Sequence, residues 1–192
     1  MSVVTPAVGW GGTLLGLSGS IVLALFGFRA QQRPEAIRRT QLRFAVGCMV
    51  GGAILAMGAL EVALLTDNFA VSYVAENHSR ATPLLFTITS AWSALGGSII
   101  LWTLVLTGYT AMVMRQVRST HDRLGTGALG VLGLVNIFFF VLVSTVANPF
   151  KILPDPPADG PGPNPILADH IMVAFHPPML YLGFVGFTVP FA

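Results

Sequence analysis

Five long apolar runs, at 7–28, 44–66, 87–114, 124–146 and 171–192, leave this chain few possible folds, because each carries almost no charge. Each is near or above the ~20 residues that a helix needs to cross a ~30 Å hydrocarbon layer. Only 9% of the residues are charged and 54% are hydrophobic, whereas a soluble domain has about 25% charged residues. The expected fold is all-α, a polytopic transmembrane helix bundle of about five spans. The first run is expected to be a retained helix, since residues 1–10 hold no basic region and no small-x-small cleavage site followed by a soluble domain appears.

Short cytoplasmic loops retain Lys and Arg, so the placement of the ten basic residues predicts orientation. Arg29, Arg33, Arg38, Arg39 and Arg43 follow the first run, and Arg115, Arg118 and Arg123 follow the third. Those two loops are expected to face the cytoplasm. The N-terminus, loop 67–86 with Asp67, Glu76 and Arg80, and loop 147–170 with Lys151, Asp155, Asp159 and Asp169 are then expected outside. The net charge of +2 is a topogenic feature of the cytoplasmic loops, with no basic groove interleaved with aromatics. Nucleic acid is therefore set aside, and membrane lipid is the expected surrounding. A single cysteine, Cys48, excludes an intrachain disulfide and a cysteine-based metal site within this chain.

Several pieces could carry chemistry. Loop 147–170 holds seven prolines and two glycines, which favour an extended, stiff segment. It is either a cover between two helices or a wall beside a ligand or partner. The stretch "TSAWSALGGSIILW" combines Trp92 and Trp102 with Gly96, Gly97 and Ser98, small residues that admit a neighbouring helix or a flat ligand. Glu61 is the one carboxylate inside an apolar run, and it is either functional or close to the outer headgroups. His78 and His170 in the outer loops, and His121 in a basic loop, read as solvated.

His176 differs, because Pro177 and Pro178 follow it in "AFHPPMLYLG". A residue before proline is pushed towards extended geometry, and proline suits the first turn of a helix. The fifth helix is thus expected to start at Pro177, with His176 on a stiff shoulder before it. Sixteen residues from Pro177 to Ala192 reach roughly 24 Å at 1.5 Å per residue, short of the hydrocarbon layer. The chain is expected to be a fragment of a longer polytopic protein. Imidazole can ligate iron axially and needs orientation to do so, and the residues alone leave open whether His176 is a ligand or an interfacial hydrogen bonder.

The order of these pieces resembles a known family. "DNFAVSYVAENHSRATPLLFTITSAWSALGGSIILW", then "ANPF", then "NPILADHIMVAFHPPMLYLGFVGFTVPFA" resemble the N-terminal part of the CcmF-type cytochrome c haem lyases. The likeness runs from about Asp67 to Ala192, and "HPPMLYLGFVGF" is its most specific element. It implies a bacterial inner-membrane protein of cytochrome c biogenesis that holds haem b at the outer face between two outer histidines, around a tryptophan-rich segment. His176 matches the first of those axial ligands, and Trp92 and Tyr181 are candidates for the pocket. The implied partners are a CcmE-like haem chaperone, a CcmH-like thiol-reducing protein and apocytochrome c, whose C-x-x-C-H cysteines form thioethers with the haem vinyl groups. A second, intramembrane haem b is implied as the source of electrons. Where the family pattern has His and Glu, this chain has Leu95 and Gly96, so roles given to that pair do not carry over. The tryptophan-rich segment and the remaining histidines lie beyond residue 192, and the fragment alone is not expected to be active. Two further readings are a haem- or quinone-associated electron-transfer subunit without lyase activity, and a purely structural scaffold.

Overall fold

The structure, a computed structural model, describes residues 3–165 and 170–192. Asp169, one of the expected outer charges, lies outside the described residues. Helix α1 covers Val4–Gln32 and, after a 3-10 turn at Pro34–Ala36, α2 covers Arg39–Leu65. Two short helices follow, α3 at Ser72–Asn77 and α4 at Leu84–Ser90. Then come α5 at Leu95–Gln116, α6 at Arg123–Ser144, α7 at Met172–Gly186 and α8 at Thr188–Phe191. Among the described residues, five helical stretches are long and apolar enough to cross a membrane: α1, α2, α5, α6 and Met172–Phe191. This is a multi-pass membrane protein, as the five runs predict.

Helix α1 is the centre of the bundle, packed against α2 and α6, while α5 bridges α2 and α6. Lipid tails are as apolar as leucine, so burial alone drives little association there, and helices gain by close backbone approach over small residues. A Cβ on Gly12 would lie 2.8 Å from both the Ala56 nitrogen and the Gly52 oxygen of α2. On the other side, a Cβ on Gly27 would lie 2.6 Å from the Gly130 nitrogen of α6. Buried hydroxyls bond to their own helix: Thr13 donates to the Gly9 carbonyl at 2.9 Å and Ser20 to that of Gly16 at 2.7 Å.

The loops gather at two ends. At the basic end, Arg39 Nε donates to the Val117 carbonyl at 2.8 Å, joining the two arginine-rich loops, and Asp122 caps α6 by accepting from Gly125 N at 2.9 Å. At the proline-rich end, Val71 and Ile152 form an antiparallel bridge. Ser72 N donates to the Lys151 carbonyl and Leu153 N to that of Ala70, both at 2.8 Å. Segment 151–153 pairs along this bridge, between a turn at 149–150 and bends at 154–155, without helix, as the prolines predict.

Two boundaries differ from expectation. The third run is not one helix over 87–114: α4 ends at Ser90, and a turn at 91–94 precedes α5. The Tyr73 hydroxyl holds this break open, donating to the Ser90 carbonyl at 2.7 Å and accepting from Ala94 N at 3.3 Å. Burial pushes the Tyr73 phenol up from its ordinary pKa of 10.0, so it remains a donor. The fifth helix does not start at Pro177. It starts at Met172, so His176 is helical rather than extended, and both prolines lie inside the helix.

Candidate functional site

A proline inside a helix removes one N–H and leaves the carbonyl four residues back without its donor. For Pro177 that carbonyl belongs to Val173. The indole Nε1–H of Trp92, in the turn between α4 and α5, donates to it at 2.9 Å. This replacement bond lets α7 continue through Pro177 and begin a turn earlier than the sequence alone suggests. His170 contributes at the helix start, its Nδ1 accepting from Met172 N at 3.1 Å.

Along α7, residues four apart share a face. Val173 and Val185 are buried and Pro177 and Tyr181 half-buried, so 173, 177, 181 and 185 form the stripe facing the bundle. Tyr181 stacks on Trp102 with ring centroids 5.4 Å apart, and Trp102 stacks on Phe139 at 5.3 Å. His176, Met179, Leu180 and Gly183 form a second stripe that is exposed, and a Cβ on Gly183 would meet nothing within 4 Å. His176 and Tyr181 therefore lie on different faces of α7. Trp92 reaches the backbone of the turn that carries His176. An exposed imidazole above an open apolar strip, Met179 being 68% exposed, offers one nitrogen donor and a flat surface.

The region around "WSALGG" has its own geometry. Leu95 is exposed, and a Cβ on Gly96 would come within 3.1 Å of the Ala147 oxygen and 3.3 Å of Pro149. Glycine here lets the "ANPF" segment close over the start of α5. Leu95 and Gly96 border a cleft of about 530 Å³ with Tyr73, Glu76, Asn148 and Lys151.

His78 is not solvated, contrary to the sequence expectation: it is 2% exposed. Its Nε2 lies 2.7 Å from Asp67 Oδ1, and its ring stacks on Phe69. Arg80 lies 3.5 Å from Asp67 Oδ2 and 5.2 Å above the Phe69 ring. Asp67 itself adopts the left-handed conformation, with φ of 48°. Loop 147–170 closes this cluster, since Asp159 accepts from Arg80 N at 3.0 Å and from Gly160 N at 2.8 Å. The sequence separates these partners by about eighty positions and carries no local signal of their meeting.

Those backbone donors hold the Asp159 carboxyl below its ordinary value of 3.8, and solvent screens the effect because Asp159 is exposed. A depressed folded pKa stabilises above the ordinary value and is lost as pH falls through the folded one. Relative to their intrinsic exchange rates, the Arg80 and Gly160 amides are therefore expected to be protected above pH 3.8 and to lose that protection on further acidification. Asp159→Asn should remove that pH dependence, and an unchanged profile in the variant would refute the assignment.

Glu61 lies in the last two turns of α2, with Oε2 buried and without a hydrogen-bond partner among the described residues. Among the described residues, no three His, Cys, Asp or Glu side chains cluster as a metal site.

Comparison with known proteins adds three findings. Residues 92–192 match the family described as cytochrome C assembly protein. The chain is 41% identical over 140 residues to the cytochrome c-type biogenesis protein CcmF of Pseudomonas fluorescens, a match covering 72% of this chain and 21% of that protein. It is 31% identical over 191 residues to CcmF of Escherichia coli, covering 97% of this chain and 29% of that one. The fold superposes on a solved structure titled cytochrome c heme lyase CcmF with a TM-score of 0.82 and 34% identity, again over 97% of this chain and 29% of the other. The chain thus spans less than a third of the length of these relatives.

Proposed function

The chain belongs to the cytochrome C assembly protein family, and from that membership we propose that residues 1–192 are the N-terminal part of a CcmF-type haem lyase acting in cytochrome c biogenesis. The observation that carries this reading is His176, an exposed imidazole on an otherwise apolar helix face inside the matched region. An imidazole nitrogen over an apolar strip is the donor set that would hold a haem b iron, and the remaining ligand would have to come from elsewhere in the full-length protein.

His176 would hold the iron, and Met179 and Leu180 would exclude water from the adjoining face. Tyr181 shapes the site from behind, through its stack on Trp102. A haem held there would offer its vinyl groups for addition of the cysteine thiols of apocytochrome c, each S–H adding across a C=C to give a thioether. The segments 67–94 and 145–165 form the surface on which a CcmE-like haem chaperone, a CcmH-like thiol-reducing protein and the apocytochrome would dock. The arginines at one end of the bundle support an orientation with that end cytoplasmic, and with the N-terminus, the proline-rich end and His176 at the periplasmic face of the bacterial inner membrane.

The second reading is a haem- or quinone-associated electron-transfer subunit without lyase activity, favoured by the buried Glu61 oxygen, which has no hydrogen-bond partner among the described residues. Expression of the full-length protein in a strain lacking its cytochrome c haem lyase separates the two. Recovery of covalently haem-stained cytochrome c is the expected result. Haem-loaded, membrane-inserted protein that restores none would favour the second reading.

A further inference from the structure

Pro177 and Pro178 together remove two consecutive helical donors, so the turn Met172–His176 is joined to the rest of α7 by the covalent chain and few backbone bonds. Among the described residues, the side-chain hydrogen bond that ties that turn to the bundle runs from Trp92 Nε1 to the Val173 carbonyl, three residues before His176, beside the buried Val173 side chain. Trp92 is itself fixed from behind. Its backbone N–H donates to the Thr89 carbonyl at 3.2 Å, and the turn that carries it is clamped by Tyr73. The chain of contacts runs from Tyr73 through the 91–94 turn and the indole to the proline-broken start of α7.

We propose that Trp92 is a positioning residue, whose indole N–H replaces the donor that Pro177 lacks and thereby sets the direction of the His176 imidazole. The inference rests on the reading of His176 as an axial ligand. It gives Trp92 a role different from lining a pocket with its ring. The removed donor is what makes the indole necessary, so the two residues should be energetically coupled.

The test uses full-length protein, purified with its haem, in the variants His176→Ala, Trp92→Phe, Pro177→Ala and Trp92→Phe with Pro177→Ala. Trp92→Phe keeps an aromatic ring and deletes the N–H. It should weaken haem retention about fivefold, the effect of one buried hydrogen bond, and shift the ferric spectrum towards high spin, with added imidazole restoring the low-spin band. Pro177→Ala returns an N–H to the helix, so in that background Trp92→Phe should change retention by less than about twofold. An unchanged spectrum in Trp92→Phe, alongside haem loss in His176→Ala, would overturn the positioning role and leave the ligand in place. Haem loss in Trp92→Phe that neither imidazole nor Pro177→Ala relieves would also overturn it, as a packing effect. An unchanged spectrum in His176→Ala would remove the ligand reading and this inference with it.

Discussion

His176→Ala in the full-length protein is expected to lower retained haem at the outer site at least about tenfold, since even partners that only orient a metal ligand contribute about tenfold or more when removed. The absorption spectrum and the haem content of detergent-purified protein measure it. His176 is exposed on α7, so truncation opens no core cavity and the bundle should keep its yield and thermal stability. His176→Gly with added imidazole should regain part of the band, because the free base can occupy the vacated position. A variant that keeps the full spectrum without imidazole would exclude His176 as the ligand.

The second large effect is expected at the α1–α2 contact. A Cβ on Gly52 would collide with the backbone of Gly16 and with the Gly12 carbonyl. Those are backbone atoms of a helix that cannot rotate aside, so Gly52→Leu must push the helices apart. Overpacking of this kind costs about 1–3 kcal/mol, and the lost backbone contact along α1 and α2 adds to it. Gly51→Leu is the matched control, since a Cβ there meets nothing within 4 Å. Denaturation in detergent should show a lowered midpoint for Gly52→Leu and little change for Gly51→Leu. Equal midpoints for the two variants would show that α1 and α2 do not meet at these glycines.

The proline-rich end shows where sequence reasoning loses its hold. That segment 148–164 has no helix was legible, because proline and glycine act on their own neighbours. The burial of His78 was not, since it needs Asp67 in a left-handed turn, Phe69 beneath the ring and Asp159 arriving from eighty residues away. Loop polarity suggested solvent, and the folded-over loop removed it. For the same reason the role of Gly96 emerged only when Ala147 and Pro149 were seen against it.

Helix α7 divides the two kinds of information most clearly. By itself the sequence determined the number of apolar helices, the clustering of the arginines and the singularity of the His-Pro-Pro element. All three follow from length, charge and local covalent geometry. Local rules also argued that the prolines open the helix, which is correct for a proline whose upstream carbonyl has no other donor. Tertiary structure decided otherwise, because the Trp92 indole supplies the missing N–H to Val173 from another segment. Likewise Tyr73 broke the third run by offering a hydroxyl to both sides of the 91–94 turn. In an apolar surrounding every backbone polar group needs a partner, and where the chain cannot provide one locally, the packing of distant side chains decides which conformation is satisfied.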